Sequence, residues 1–349
     1  MKGSGSREMT RLGEGLDVSV IIPSFNEEEN IAFCLESVLA NANHFPGTLE
    51  IIVVDGLSED NTREIVENFM EKYDNIKLID NPQRVTPIAM NLGIEAAKGE
   101  FILILGAHSR LGKGYITSLH KRLLDDENIG CIGGRTVVTG DNNISHRCIA
   151  ATMMSPLGAG NAYYRLDSNQ LRQVDTVAYG LYRATVFEEI GLFDERLVRN
   201  QDMEMSCRIR DAGYVILLDP SVQVYYTPRN SIVSLAKQSF ANGYWNIITW
   251  RLVPGSLSWR HFAPLAFVTY FLLLGPLSFF SLMCRMFFAL GACVYLCAVF
   301  FETVKTVMRT KDITLVGISV CFPVLHVSYG LGSIWGLLEE TIRLKGERN

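Results

Sequence analysis

Cysteine is sparse and scattered: eight residues in 349, with no CxxC pair. That spacing excludes a zinc ribbon and a disulfide framework and suits a reducing cytoplasm, and Cys293 with Cys297 reads as one face of an apolar helix. Lys/Arg-dense stripes are missing from the soluble part, and the formal net charge is −5. Without a basic field, nucleic acid is not expected as a partner. Residues 1–16 contain no apolar run, so this Gly-rich stretch is expected to be a flexible tail rather than a signal peptide. Internal repeats and low-complexity segments are also lacking.

Charge disappears in the last third of the chain. Residues 262–283 carry none, 286–304 form a shorter apolar run, and 313–338 is long again. Stretches of about 20 apolar residues are long enough to cross a bilayer, so a transmembrane region is expected over 262–338, followed by a tail at 339–349. Lys305, Arg309 and Lys311 fall between the second and third runs, which by the positive-inside rule puts that loop in the cytoplasm with the amino-terminal domain. An even number of crossings, with the first two runs as a re-entrant hairpin, stays open. Before them, residues 231–261 place Leu235, Phe240, Tyr244 and Ile247 at helical spacing among Lys237, Gln238 and Asn242. This pattern suits an amphipathic interfacial segment or ordinary domain packing.

Residues 17–230 alternate strands and helices, which implies an α/β domain with a parallel core sheet. Strands are expected near 18–22, 49–54, 76–79, 101–105, 129–139 and 217–226, and helices near 27–42, 62–73, 87–97, 114–124, 185–191 and 202–212. Two strand-to-loop junctions stand out: Val18-Ser-Val-Ile-Ile-Pro-Ser-Phe-Asn-Glu27 and Ile51-Ile-Val-Val-Asp-Gly-Leu-Ser-Glu-Asp-Asn-Thr62. In open α/β sheets, ligands bind beyond the carboxyl ends of such strands, so Asp55 is expected to face a crevice. Each acid also has a structural reading. Asp55 can organise its turn, Glu27 to Glu29 can complement a helix N-terminus, and Asp60 can cap the helix near Thr62.

The combined pattern resembles the nucleotide-sugar half of family 2 glycosyltransferases, which have a GT-A (Rossmann-like) fold. The Asp-Asn-Pro-x-Arg run at Asp80, Ala-His at Ala107, Ser-Pro-x-Gly-x-Gly-Asn-Ala at Ser155, Val-Asp-Thr-Val at Val174, Val-Arg-Asn-Gln-Asp at Val198 and Gly-x-Trp at Gly243 are similar to the succinoglycan-type exopolysaccharide branch. The resemblance implies that Pro23, Asn26, Glu27 and Asp55 surround the uracil and ribose of a UDP-sugar, with Arg84, Asn91 and Ala107 also on the donor side. Where the family carries Asp-x-Asp for a divalent metal, this chain has Gly106-Ala107-His108. His108 could supply one imidazole to Mn²⁺ or Mg²⁺, contact phosphate, or fill a polar site.

By the same resemblance Asp202 is the catalytic base. Its place at a helix start is expected to favour the ionised carboxylate, and the alternative role there is a helix cap. Asn161, Arg165, Tyr179 and Gln201 are expected on the acceptor side. The implied protein is an inverting glycosyltransferase in the cytoplasmic membrane, catalytic domain inward, moving a sugar from UDP-glucose to a polyprenyl-linked saccharide. Membrane lipid and other glycan-assembly enzymes are its implied partners. The alternatives are a polyprenyl-phosphate sugar synthase and a non-catalytic membrane subunit. A processive synthase is disfavoured because Gln238 to Trp245 lacks a Gln-x-x-Arg-Trp arrangement.

Overall fold

A computed structural model describes residues 16–139, 143–160, 162–165, 170–227 and 231–346. Asn161, residues 347–349 and all but one residue of the expected amino-terminal tail lie outside the described residues. The first half runs β1 (Val18–Ser24), α1 (Ile31–Ala42), β2 (Leu49–Asp55), α2 (Thr62–Met70), β3 (Ile76–Asp80), α3 (Thr86–Ala96), β4 (Phe101–Ile104), β5 (Ser109–Leu111), α4 (Tyr115–Asp125) and β6 (Ile129–Val138). There follow α5 (Ile144–Met153), α6 (Pro156–Ala159), β7 (Arg172–Gln173), β8 (Leu181–Arg183), α7 (Ala184–Ile190), α8 (Gln201–Asp211) and β9 (Val215–Tyr226). The chain then becomes helical: α9 (Ile232–Leu252), α10 (Ala263–Leu277), α11 (Leu282–Thr310) and α12 (Ile318–Gly346).

The strands form one sheet in the order β3-β2-β1-β4-β8-β6-β9-β5, with β7 added alongside β9. Strands β1 to β4 are parallel to one another, as their continuous Val/Ile runs predict, whereas β8 is antiparallel to both β4 and β6. Pro23 is tolerated inside β1 because pairing with β4 ends at Ile21, so no ladder bond on that side needs its missing N–H. Alternate residues serve opposite faces. Val20, Ile22, Ile51 and Val53 pack against Ile31, Leu35 and Val38 of α1, while Ile21, Ile52 and Val54 pack toward Ala89 and Ile94 of α3. The helix expected from Glu27 begins only at Ile31, because Asn26 turns the chain at φ 52° and residues 27–30 are spent on that turn.

Three helical segments are long and apolar enough to cross a membrane by length and composition: Trp259–Leu277, Leu282–Thr310 and Ile313–Glu339. The middle one, expected to be the shortest, is the longest of the three segments, because Glu302, Lys305 and Arg309 continue the helix beyond the apolar run until Lys311 turns it off at φ 57°. A third core made by Cys148, Ile149, Leu235, Val299, Leu315 and Phe322 fastens this helical region to α5 of the α/β domain. An ion pair from Arg147 to Asp312 reinforces the joint.

Helix α9 buries only part of the apolar stripe its sequence suggested. Its buried face carries Leu235, Ser239, Gly243, Asn246 and Ile247, and Phe240 and Trp250 face outward. The small residues let it meet α12 backbone to backbone: a Cβ on Gly243 would lie 1.9 Å from the Tyr329 carbonyl oxygen, and one on Gly332 2.0 Å from that of Phe240.

Candidate active site

The loops after β1 and β2 are stitched together at the carboxyl edge of the sheet. Backbone amides of Asn26, Glu27 and Glu28 donate to Ser58 Oγ (2.9 Å), Thr62 Oγ1 (2.8 Å) and Asp60 Oδ2 (3.1 Å), and Asn26 Oδ1 accepts from the Glu59 amide at 2.9 Å. Asp60 also accepts from the Thr62 amide at 3.0 Å, but the cap position of α2 is Asn61, one residue later. Asp55, expected to face a crevice, is instead fully buried. It accepts from Ser24 Oγ (3.2 Å), Ser58 N (2.9 Å), Ser58 Oγ (2.6 Å) and Arg63 Nη1 (3.1 Å), so a ligand reaches its carboxylate only by displacing one of these donors. Arg63 is shared with Asp80 at 2.7 Å.

Arg84 takes a left-handed turn at φ 57°, pairs with Glu59 at 3.0 Å and lies 5.1 Å over the Phe25 ring, at the rim of these loops. Asn91 does not join them. Its amide donates to the Phe193 carbonyl (3.0 Å) and Glu195 Oε1 (3.1 Å), and its Oδ1 accepts from the Phe193 amide (3.0 Å), so the buried side chain is saturated as an internal clasp. The Ala107 methyl is likewise in the core, leaving only its backbone for a ligand.

At the turn between β4 and β5, His108 Nδ1 lies 3.2 Å from Glu27 Oε1 and the ring stands edge-on to Tyr226 at 5.3 Å. The carboxylate fixes the ring through one nitrogen and leaves Nε2 free of that contact, the arrangement that orients a metal-binding histidine. A Cβ on Gly106 would sit 3.6 Å from His108 Nε2 and 3.6 Å from the Tyr179 ring, in ordinary contact. Tyr179 therefore lies beside this turn and does not line the cavity holding Asp202. Its backbone is held at φ 54° with its carbonyl accepting from Tyr115 Oη at 2.8 Å, and burial pushes its phenol pKa up. No group of three His, Cys, Asp or Glu that could hold a metal occurs among the described residues.

Asp202 opens instead into a cavity of about 540 Å³ between the α/β domain and the apolar helices. Arg165, Asn200 and Asp202 line one wall; Asn242 and Asn246 of α9 line a second; Phe267, Tyr295 and His326 close the far side. Asp202 is not the helix cap. Asn200 occupies that position at φ 63° and sends its amide to Asn246 Oδ1 (2.7 Å) and Thr249 Oγ1 (3.2 Å).

The expectation that the helix start favours ionised Asp202 is corrected: burial raises its pKa above the ordinary aspartate value, outweighing the Met203 amide at 3.0 Å and the charge of Arg165. Arg165 Nε is buried without a partner among the described residues, and its guanidinium lies 5.5 Å over Tyr164. Gln201 turns away from the cavity and buries Oε1 unpartnered among the described residues. Sequence reading missed Arg260, which also lines the cavity and pairs with Asp175 at 2.7 Å. It missed Asn242 and Asn246 too, although Gln238, Asn242 and Asn246 recur every four residues as a polar stripe on α9.

A pH prediction follows from the raised carboxyl. In the general-base role the sequence resemblance implies, Asp202 must be ionised, so catalysis is expected to be lost as pH falls through a pKa higher than that of a solvated aspartate. Arg165 lowers that pKa, and Arg165→Gln is expected to move the acid limb of the rate profile to still higher pH. A pH–rate series on both proteins checks this.

The parallel sheet with stitched loops at its carboxyl edge, and an acid at the start of a short helix lining a cavity against the apolar helices, make up a GT-A-like α/β domain. Residues 19–191 match the family Glycosyl transferase family 2, and the chain carries a domain of that family. The chain is 25% identical over 329 residues to the dolichyl N-acetyl-alpha-D-glucosaminyl phosphate 3-beta-D-2,3-diacetamido-2,3-dideoxy-beta-D-glucuronosyltransferase of Methanococcus voltae, covering 92% of this chain and 97% of that one. It is 26% identical over 256 residues to succinoglycan biosynthesis protein ExoA of Rhizobium meliloti, covering 71% and 74%. Its fold is similar to that of the mannosyltransferase PcManGT from Pyrobaculum calidifontis, solved with GDP-Man and Mn²⁺, with a TM-score of 0.61 at 17% identity over 92% of this chain and 88% of that one.

Proposed function

We propose that this protein is a membrane-anchored inverting hexosyltransferase that moves a sugar from a UDP-sugar, UDP-glucose by resemblance, to a polyprenyl-linked saccharide. The observation that carries this reading is the cavity with Asp202 on one wall and the apolar helices on another, a shape suited to an acceptor that is sugar at one end and lipid at the other. The Methanococcus voltae relative bears the name of an enzyme acting on a dolichyl-linked sugar phosphate. Trp259 at the start of the first apolar segment and Phe279 and Phe280 just past its end are among the most exposed side chains. Nineteen residues rise about 28 Å, so these aromatics are spaced like the two belts of a bilayer about 30 Å thick. The basic end of α11 supports a cytoplasmic α/β domain by the positive-inside rule.

In this reading Asp202 removes the proton from an acceptor hydroxyl, whose oxygen attacks the anomeric carbon from the face opposite the nucleotide. The bond to the diphosphate breaks, UDP leaves, and an α-linked donor yields a β-glycoside. The stitched loops around Asn26, Glu27 and Asp55 hold the nucleoside, with Arg84 at the rim. A divalent cation would neutralise the leaving diphosphate. His108 Nε2, oriented by Glu27, would be its protein ligand, and a lone imidazole donor suits Mn²⁺ better than oxygen-preferring Mg²⁺.

Acceptor-dependent release of UDP from a panel of UDP-sugars tests the reading; absence of release from every donor sinks it in favour of the non-catalytic subunit. Product sugar attached directly to lipid phosphate selects the polyprenyl-phosphate sugar synthase instead. In the same assay Gly106→Asp, which meets only ordinary contacts, is expected to fold and to lower the Mn²⁺ concentration giving half-maximal release. An unchanged Mn²⁺ titration argues against a cation beside His108.

A further inference from the structure

We infer that the prenyl chain of the acceptor lies in the cleft between α10 and α11 and reaches the catalytic cavity sideways from the bilayer, past Phe267 and Tyr295. The inference rests on the lipid-linked acceptor proposed above. A second cleft of about 420 Å³ is walled by Tyr270, Phe271, Leu290, Val294 and Ala298, together with Phe267 and Tyr295. Those last two residues also line the cavity that holds Asp202, so the spaces meet at a shared wall. This size is in the range of ligand sites, about 300–1,000 Å³.

The cleft is apolar in chemistry as well as in composition. Both of its phenols are engaged elsewhere: Tyr270 donates to the Phe287 carbonyl, and Tyr295 Oη lies 3.0 Å from His326 Nδ1. His326 Nε2 is 3.0 Å from the Leu157 carbonyl, which only accepts, so Nε2 carries the proton and Nδ1 of the neutral ring accepts from Tyr295. What remains for a ligand is ring faces and aliphatic side chains. The outer rim is open, since Leu290 is 59% and Val294 61% exposed on the segment long enough to span a membrane. The inner end approaches the cavity that also contains Arg165 and Arg260, cations suited to the phosphate of the same molecule. A single lipid-linked sugar lying across the Phe267 and Tyr295 wall would thus meet apolar, cationic and carboxylate surroundings in turn.

Gly291 shapes the cleft. A Cβ there would lie 2.5 Å from the Tyr270 ring, so glycine lets that ring lie against α11.

The test uses the full chain in lipid nanodiscs with two acceptors of identical saccharide diphosphate, one undecaprenyl-linked and one geranyl-linked. Ala298→Phe and Val294→Trp fill the cleft from its exposed side. Each is expected to reduce transfer to the long-chain acceptor by about tenfold or more while leaving the short-chain acceptor unchanged. Equal loss on both acceptors, or no loss on either, overturns the inference.

A diazirine-bearing geranylgeranyl diphosphate supplies a readout independent of turnover. It is expected to label α10 and α11 peptides around Phe267 and Val294, with undecaprenyl diphosphate, but not phosphatidylglycerol, competing. Competition by phosphatidylglycerol identifies an ordinary lipid site and overturns the inference. Labelling of the cleft without transfer to any acceptor defeats the proposed function and leaves the lipid site standing, whereas transfer without labelling does the reverse.

Discussion

Asp202→Asn is expected to reduce acceptor-dependent sugar transfer by about 10²–10⁴-fold, the usual worth of a positioned general base, while UDP binding measured by calorimetry stays at the wild-type value. The substitution keeps size and the Met203 amide contact, since an amide oxygen also accepts from that N–H. It removes only the ability to take a proton. The carboxylate is buried with a raised pKa, so its replacement by a neutral amide relieves a desolvation cost, and the variant is expected to fold at least as stably as the parent above the ordinary aspartate pKa. Transfer retained above a tenth of the parent rate would move the base to another residue.

The second large effect concerns packing. Gly243→Val is expected to destabilise the protein by about 3 kcal/mol or more, because a Cβ at this position falls 1.9 Å from a backbone oxygen that cannot rotate away. Separating α9 from α12 also breaks the Ser333 hydroxyl bond to the Gly243 carbonyl at 3.2 Å and the Asn246 bond to Tyr329. Asn246 and Tyr329 line the cavity that holds Asp202, so transfer should fall further than nucleotide binding. Gly275→Ala is the contrast. Its nearest neighbour would be Phe288 at 3.8 Å, and thermal unfolding in detergent should place it at or slightly above the parent, since alanine is the better helix former.

The carboxyl edge of the sheet was legible because its information is local. The buried Val/Ile runs of β1 and β2 and the polar turns that end them specify parallel strands and loops within about ten residues, and β1 to β4 with α2 to α4 fall close to where periodicity put them. Short strands were not legible. β5 and β8 have three residues each and exist because β9 and β4 are present to pair with them; no pattern of three residues specifies that. Asn91 misled for the same reason: its partners Phe193 and Glu195 lie over a hundred positions away, and an amide at a helix face reads equally as ligand or clasp.

By itself, the sequence determined the class of fold, the two polar loops after β1 and β2 and the three apolar segments, because each follows from hydrophobic period, turn residues and run length. Only the tertiary structure decided that Asp55 is enclosed by Ser58 and Arg63, that desolvation raises the Asp202 pKa, and that α9, α10 and α11 bring amides and aromatic rings around that acid beside the charges of Arg165 and Arg260. Desolvation and cavity shape depend on which distant surfaces meet, and a linear pattern carries no record of the distance between them.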